Sequence, residues 1–272
     1  MATRQRTKKQ PINVIMGIPC HRRLDVLKIQ AEYHKDVLRP FLLTQGINLI
    51  FFMVGTDRLE QEALPIDGVT FIYEAQPENI LTRKFNRLFE FAKECNVDAL
   101  MTMGSDDLIP PQLFLDMLRI ALDNKFISAP SQLLLHDVLL KNTYVWKGYS
   151  FYAPYRFLGL GVGRVHTRQL LSLLPSNPFG DDPNNANCGQ AIIDPKIREA
   201  VVSTGVDFNT ITTACNNQLN AVLLSLKIGN TSFNPISIFL NRKLVEDNTI
   251  DINDRETFGW LPETILAKIL AL

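Results

Sequence analysis

The sequence predicts an α/β fold in which a mostly parallel central sheet is flanked by helices. In the first half of the chain, short apolar and β-branched runs alternate with longer stretches whose apolar residues recur every three or four positions. The chain has 272 residues, of which 46% are hydrophobic and 21% charged, so it can bury a sizeable core. Strands that alternate with helices in this way are typical of parallel strands joined by helical crossovers.

Four strands and two helices are predicted in the first half. The strands are expected at residues 12–18, 47–54, 68–75 and 97–104. The first helix should run from Asp25 to about Thr44, because its apolar residues have near-helical spacing and Gly46 follows as a stop signal. The second helix should run from about Asn79 to Cys95. The order is therefore strand, helix, strand, strand, helix, strand.

The second half has a different pattern, with β-branched, aromatic and glycine-rich segments that indicate strands and loops at residues 125–166. After it we predict a helix at 167–174, a polar loop at 175–190, a partly helical segment at 205–229 and an amphipathic helix at 263–272. Neither a repeat nor a linker interrupts the sequence. We therefore expect one domain over residues 11–272.

Charge and cysteine content exclude several classes of protein. Lys plus Arg and Asp plus Glu both number 28, so no overall field favours nucleic acid or a membrane surface. The four cysteines form no CxxC pair, which predicts neither a zinc site nor a disulfide scaffold. Without a long apolar stretch or a signal-peptide pattern, we expect a cytoplasmic protein with no membrane insertion. We expect residues 1–10, which carry Arg4, Arg6, Lys8 and Lys9, to form a basic, flexible arm.

Two adjacent carboxylates, Asp106 and Asp107, follow the fourth predicted strand. In parallel sheets ligands bind beyond the carboxyl ends of the strands, and the segment “PCHRR” (19–23) lies at the end of the first strand. A divalent cation would relieve the repulsion between the two carboxylates, and Mg²⁺ and Mn²⁺ prefer oxygen ligands. The alternative interpretation is that Asp106 caps the helix expected after Pro110.

The order of these elements over residues 12–117 resembles the nucleotide-sugar-binding half of GT-A glycosyltransferases, particularly the large family 2 type. The matching segments are Pro19 with the polar residues after it, “VGTD” (54–57), “LTRKFN” (81–86) and “GSDD” (104–107). The resemblance implies a GT-A fold with a nucleotide-sugar-binding half at 11–120 and an acceptor-binding half at 121–272.

In that family a DxD-like motif holds the metal and contacts the ribose and diphosphate of the donor. Asp106 and Asp107 match its later positions, whereas Gly104 stands where a first acid is common. The resemblance therefore implies that both aspartates hold Mn²⁺ or Mg²⁺. It also implies a nucleotide site lined by Pro19, Cys20, His21, Arg22, Asp57, Lys84, Asn86 and Asp106.

Two features depart from the family pattern. The adjacent Arg-Asn pair that is frequent there is replaced by Arg83, Lys84 and then Asn86, and Asp57 matches a base-reading aspartate only approximately. In the second half, residues 157–182 resemble a glycine-rich acceptor segment that ends in an acidic motif. Asp182 or Asp181 would then be the general base, while the alternative is that these residues only form a turn.

These features predict a metal-dependent, inverting glycosyltransferase that moves a sugar from a nucleoside diphosphate, with UDP expected, to a hydroxyl acceptor. The acceptor would be a glycan, a small molecule or a hydroxylated base in DNA, the last because of the basic arm. One alternative is a sugar nucleotidyltransferase, although its glycine-rich GxGxRxxP-like loop is missing from “MGIPCHRR”. The other is a non-catalytic module that binds nucleotides or nucleic acid.

Overall fold

A computed structural model describes residues 10–146, 160–180, 190–208, 210, 222–227, 237 and 245–272. The basic residues of the predicted arm and the candidate bases Asp181 and Asp182 lie outside these ranges. Within the described ranges, every helix is too short or too polar to span a bilayer.

The central sheet has six strands. They are β1 (Ile12–Pro19), β2 (Ile47–Gly55), β3 (Phe71–Ala75), β4 (Ala99–Thr102), β6 (Ile127–Ser128) and β9 (Arg164–Thr167), and their order is β3-β2-β1-β4-β9-β6. The four strands from β3 to β4 are mutually parallel, while β9 is antiparallel to both of its neighbours. Because all four predicted strands of the first half form and align in parallel, the predicted fold class is confirmed.

Helices cover both faces of this sheet. They are α1 (Leu24–Tyr33), α2 (Arg39–Thr44), α3 (Arg58–Ala63), α4 (Leu81–Glu94), α5 (Pro111–Asn124), α6 (Arg168–Leu173), α7 (Gln190–Val202), α8 (Arg255–Phe258) and α9 (Glu263–Ala271). Successive residues of β1 point to opposite faces: Val14 and Met16 join the core beneath α1 and α5, whereas Ile15 packs beneath α4 and α6. Alternate side chains of one buried strand thus contribute to two cores.

The first predicted helix is not continuous, because a π-helical turn at His34–Leu38 separates α1 from α2. Arg39 donates its backbone N–H to the carbonyl of His34, five residues back. The next residue, Pro40, has no N–H, and its ring would collide with the carbonyl four residues before it. The wider turn accommodates that proline without ending the helix.

A second sheet joins the two halves of the chain. It comprises β5 (Asp107–Leu108), β7 (Leu133–Asp137), β8 (Asn142–Trp146), β10 (Leu223–Lys227) and β11 (Val245–Ile250), in the order β11-β8-β7-β10-β5. Strand β10 lies where the sequence predicted partly helical structure, and its Ser225 stands opposite Asp107 of β5. Strands β6 and β9 in turn extend the central sheet. The first half of the chain therefore contributes β5 to the second sheet, and the second half contributes β6 and β9 to the central sheet.

His34 gives the fold a defined sensitivity to acid. Its ring is buried and stacks on Phe51 at 4.9 Å between centroids, and neither ring nitrogen has a hydrogen-bond partner among the described residues. Burial lowers its pKa to about 3. An unfolded chain takes up this proton near pH 6.5, so the folded state loses stability as the pH falls below that value.

We therefore predict that His34→Phe makes unfolding less dependent on pH. Between pH 7 and pH 5, protonation of His34 in the unfolded chain should lower the free energy of unfolding of the wild type by about 2 kcal/mol. This follows because pH 5 lies about 1.5 units below the pKa of an unfolded histidine. Urea unfolding at the two pH values measures the difference. An equal loss in wild type and variant would contradict a buried neutral imidazole.

Candidate functional site

Polar residues converge at the carboxyl edge of the central sheet. They follow three adjacent parallel strands, β1, β2 and β4, in the segments 20–23, 56–57 and 103–107. The carboxyl ends of parallel strands meet at one edge, where the connecting loops leave room for a ligand. The predicted nucleotide loop and the two aspartates are therefore parts of one site.

Asp106 and Asp107 are both buried at this edge, with exposures of only 6% and 4%. Asp106 Oδ2 accepts hydrogen bonds from Arg23 Nη1 at 2.8 Å and from Lys227 Nζ at 3.0 Å. Asp107 Oδ2 accepts the Gly104 N–H at 2.8 Å. The side chain of Gln30 fixes the loop by donating to the carbonyls of Gly104 and Asp107 at 2.6 and 2.8 Å.

The two carboxylates differ electrostatically although they are neighbours. Burial raises the pKa of Asp107 to about 6, and the charge of Asp106 adds to this rise. Burial also acts on Asp106, but the charges of Lys227 and Arg23 outweigh it and lower the pKa of that carboxyl. Asp106 is therefore firmly ionised, whereas Asp107 ionises at the cost of repulsion from Asp106 and would benefit most from a further cation.

The alternative interpretation of Asp106 as a helix cap is wrong. Helix α5 begins at Pro111, its N-cap is Pro110, and no side chain caps it. The short strand β5 separates the aspartates from that helix. Steric constraints explain why position 104 is a glycine, because a Cβ atom there would lie 2.3 Å from Asp107 Oδ2. A first acid of the family motif would collide with Asp107.

The loop after β1 has a strained backbone. Arg22 and Arg23 both adopt left-handed conformations, with φ of 53° and 55°, which non-glycine residues rarely adopt. Arg22 donates its N–H to Glu60 Oε1 at 2.6 Å, and Lys84 Nζ donates to the carbonyl of Cys20. Such strain persists where surrounding contacts enforce it, which is common at binding sites.

Glu60 connects the loops after β1 and β2 to strand β3, although its sequence context did not single it out. Its fully buried carboxylate accepts the Thr56 N–H at 2.9 Å and the Tyr73 hydroxyl at 3.0 Å, besides the N–H of Arg22. A Cβ atom on Gly55 would lie 2.0 Å from Glu60 Oε2, so a glycine makes room for it. The signal was present as Asp57-x-x-Glu60, the spacing of a helix capping box.

We predict that Glu60→Gln destabilises the fold by about 1–3 kcal/mol, because an amide nitrogen would face N–H donors that need an acceptor. Thermal and urea unfolding measure the loss. Glu62→Gln is the matched control, since Glu62 belongs to the same helix but only forms an exposed pair with Arg58. Equal stability of the two variants would show that Glu60 does not hold the loops.

The residues predicted at the end of β1 lie together as expected from their order in the chain. Pro19 is the last residue of β1 and stands opposite Val54 in β2. Cys20 is buried and burial raises the pKa of its thiol, so it is not a reactive thiolate. His21 Nδ1 lies 3.2 Å from the Thr56 hydroxyl oxygen, and burial lowers the pKa of its imidazole.

The other predicted nucleotide residues make contacts within the protein. Asp57 caps α3 by accepting the Leu59 N–H at 2.9 Å. Lys84 is buried and donates to Asn79 Oδ1 at 2.8 Å in addition to the Cys20 carbonyl, while burial lowers its pKa. Both residues thus shape the loops at this edge through their own hydrogen bonds.

Asn86 holds a different segment. Its amide donates to the Gly180 carbonyl at 2.8 Å and accepts the Phe179 N–H at 3.0 Å. Phe179 also stacks on Phe85, with ring centroids 5.0 Å apart. Helix α4 begins at the carboxyl edge, since it follows β3 and leads into the parallel strand β4. Asn86, in its second turn, therefore fixes the chain immediately before the candidate bases near that edge.

The structure adds Arg23 and Lys227 to the site. Arg23 belongs to the “PCHRR” segment, in which the resemblance selected the other four residues, from Pro19 to Arg22, as site residues. Lys227 ends β10, in a segment that the sequence predicted as partly helical. Its approach to Asp106 depends on how β10 aligns beside β5, across 121 positions of sequence. No local pattern encodes that alignment.

The two aspartates have suitable chemistry for Mg²⁺ or Mn²⁺, whose sites often combine one or two carboxylates with water and substrate phosphates. Among the described residues, Oδ1 of Asp106 accepts no hydrogen bond, since both cations contact Oδ2. The same part of the chain contains no group of three or more His, Cys, Asp or Glu side chains placed to hold a metal. Within the described ranges, Asp106 and Asp107 are therefore a pair of candidate metal ligands without a third such side chain placed beside them.

The chain is thus an α/β protein with a candidate ligand site at the carboxyl ends of its parallel strands. Neither a family model nor a curated relative matches the sequence. Solved structures are similar at low identity, among them the following two. The first, a CMP:2-keto-3-deoxy-manno-octonic acid synthetase complexed with CTP, has 11% identity and a TM-score of 0.40, covering 86% of this chain and 97% of that one.

The second is a mannose-1-phosphate geranyltransferase from Thermus thermophilus. It has 9% identity and a TM-score of 0.36, and the alignment covers 80% of this chain and 74% of that one. Similarity at this level assigns no residue a role.

Proposed function

We propose that this chain is an enzyme that acts on nucleotide sugars, and specifically a glycosyltransferase that moves a sugar from a nucleoside diphosphate to a hydroxyl acceptor. The observation that supports the proposal is the convergence of Arg23 and Lys227 on Asp106 at the carboxyl edge of the sheet. Phosphates bind where cations and helix N-termini meet. Arg23 is also the residue at the N-terminus of α1, and no side chain caps that helix.

The transfer itself needs an acceptor oxygen that can attack and a leaving group whose charge is neutralised. We propose that Asp182 or Asp181 takes the proton from the acceptor hydroxyl. A bond then forms from that oxygen to the anomeric carbon while the bond to the diphosphate breaks, which inverts the configuration. The position of Gly180, fixed by Asn86 near the carboxyl edge, supports this role for the residues that follow it.

We further propose that Asp106 and Asp107 hold Mg²⁺ or Mn²⁺. Their oxygens suit these cations, and burial together with the charge of Asp106 raises the pKa of Asp107, so a further cation beside this carboxylate would be favourable. The metal would supply positive charge for the departing diphosphate.

A second candidate is sugar nucleotidyl transfer, in which a nucleoside triphosphate and a sugar phosphate react and pyrophosphate leaves. The concentration of cations at this edge favours it, because a triphosphate carries more negative charge than a diphosphate ester. These cations are Arg22, Arg23, Lys84 and Lys227.

Phosphorus NMR separates the two candidates by their products. One reaction set contains UDP-, GDP-, ADP- or CDP-sugars with Mg²⁺ and is followed for the nucleoside diphosphate released by transfer or hydrolysis. The other contains nucleoside triphosphates with sugar 1-phosphates and is followed for pyrophosphate. We expect nucleoside diphosphate from the wild type, none from Asp107→Asn, and an undiminished yield from Asp123→Asn, an exposed control. Pyrophosphate alone would favour the second candidate, and neither product would favour a binding module.

The acceptor is predicted from the basic arm. If the acceptor is DNA, four phosphate contacts from Arg4, Arg6, Lys8 and Lys9 should give a slope of about −3.6 in a plot of log affinity against log salt. Deleting residues 1–10 should flatten that slope and leave donor hydrolysis unchanged. Fluorescence anisotropy with duplex DNA at several salt concentrations measures the DNA affinity of both proteins. If the wild type shows no salt-dependent affinity for DNA, then DNA is excluded as the acceptor, and a glycan or small molecule remains.

A further inference from the structure

Lys227 brings a cation from the second sheet to the carboxyl edge of the central sheet. It is the last residue of β10, and its Nζ lies 3.0 Å from Asp106 Oδ2. Arg23, from the other side, contacts the same oxygen at 2.8 Å. The three residues are largely buried, and their side chains taken without the backbone are 10%, 14% and 8% exposed for Lys227, Arg23 and Asp106.

The arrangement provides more positive charge than Asp106 alone requires. One buried carboxylate is neutralised by one cation, yet two cations meet at a single oxygen. Asp107 is close enough for the charge of Lys227 to lower its pKa, but no cation of the described residues forms an ion pair with it. With both carboxylates ionised, the two cations and the two aspartates therefore carry no net charge. Both cations nevertheless contact the same oxygen, Oδ2 of Asp106.

Hydrogen-bond capacity also remains on both cations. An ammonium has three N–H donors and a guanidinium has five. Among the described residues, Lys227 donates only to Asp106, and Arg23 donates only to Asp106 and to the Ser105 hydroxyl at 2.9 Å. Their remaining donors are suited to an anion with several oxygens, and buried charge-assisted bonds of this kind are strong.

We propose that Lys227, together with Arg23, is a ligand of the donor's phosphates and is held on Asp106 until the donor binds. This inference rests on the proposed function, because it takes the donor to be a nucleoside diphosphate derivative. On binding, the phosphate oxygens take over N–H donors of both cations, and Asp106 becomes available to a divalent cation. The second sheet thereby takes part in donor recognition although the nucleotide loops belong to the first.

Isothermal calorimetry with UDP, GDP, ADP, CDP and inorganic pyrophosphate tests the proposal, each with Mg²⁺ present. We expect Lys227→Met to bind the best nucleoside diphosphate and pyrophosphate about tenfold to a hundredfold more weakly than the wild type. Lys227→Arg should restore most of the affinity, because it keeps a cation at the same place. Lys28→Met, which removes an exposed lysine from α1, should bind like the wild type.

The controls distinguish this inference from the proposed function. If the wild type binds neither pyrophosphate nor any of the four nucleotides, the proposed function fails and this inference fails with it. If the wild type binds and Lys227→Met binds equally well, only the role of Lys227 is overturned. Thermal unfolding of each variant accompanies the titrations. Weak binding by Lys227→Arg at an unchanged melting temperature would also contradict the role, because the charge would then not be what matters.

Discussion

Replacing Asp182 by Asn should leave donor binding intact and slow glycosyl transfer by about 10²-fold or more, as expected when a general base is lost. Asparagine forms turns as readily as aspartate, so the exchange removes the charge and keeps the turn chemistry of this polar loop. Calorimetry with the nucleoside diphosphate and turnover of the nucleotide sugar measure the two quantities separately. Asp181→Asn is made in parallel, because either carboxylate can be the base.

The position of the loop gives a second test of the same role. Asn86 contacts Phe179 and Gly180 with both ends of its amide, so Asn86→Leu should reduce turnover more than donor affinity. Asp123→Asn, far from this loop in sequence and exposed, is the control for loss of one negative charge. Near-normal turnover in both Asp181→Asn and Asp182→Asn would leave turn formation as the role of the pair. A large effect at Asp181 alone would identify that residue as the base.

The fold was predictable because its first half is encoded by local patterns. The buried strands β1, β2 and β4 are short apolar runs, and α4 is strongly amphipathic, so these patterns are enough to identify them. The exceptions have local causes as well. The π-helical turn before Pro40 breaks a pattern that continues on both sides, since the same apolar face remains buried across it.

The site was predictable only in part. Residues that directly follow strands, such as Cys20 and Asp106, could be placed at one edge from the order of the strands alone. Lys227 could not, because its contact depends on the alignment of β10 beside β5 and β7 in a second sheet. No helix or strand was predicted around Glu60, yet this residue lies in α3, where it is fully buried and accepts hydrogen bonds from the loop after β1 and from Tyr73 of β3.

Arg164 and Asp194 form an ion pair that nothing in the sequence pattern indicated. Arg164 Nη1 lies 2.6 Å from Asp194 Oδ1, and the side chains are 2% and 5% exposed. The pair joins β9, a strand of the central sheet, to α7, the first described helix after the polar loop that contains the candidate bases. Burial raises the pKa of Asp194, although the charge of Arg164 opposes the rise.

We predict that Asp194→Leu lowers the free energy of unfolding by about 3–5 kcal/mol, because the guanidinium of Arg164 stays buried without this carboxylate. Arg164→Met should have a loss of similar size for the converse reason. The double variant should lose less than the sum of the two single losses, since it removes both charges from the interior. Urea unfolding of the four proteins gives the complete cycle.

The exposed pair between Arg58 and Glu62, whose side chains are 88% and 54% exposed, is the matched control. Glu62→Leu should change stability by less than about 1 kcal/mol, because water screens that pair. If Asp194→Leu is as mild as Glu62→Leu, the buried pair does not hold α7 to the central sheet. A purely additive double variant would instead show that the two residues act through separate neighbours, since coupling is what a direct ion pair requires.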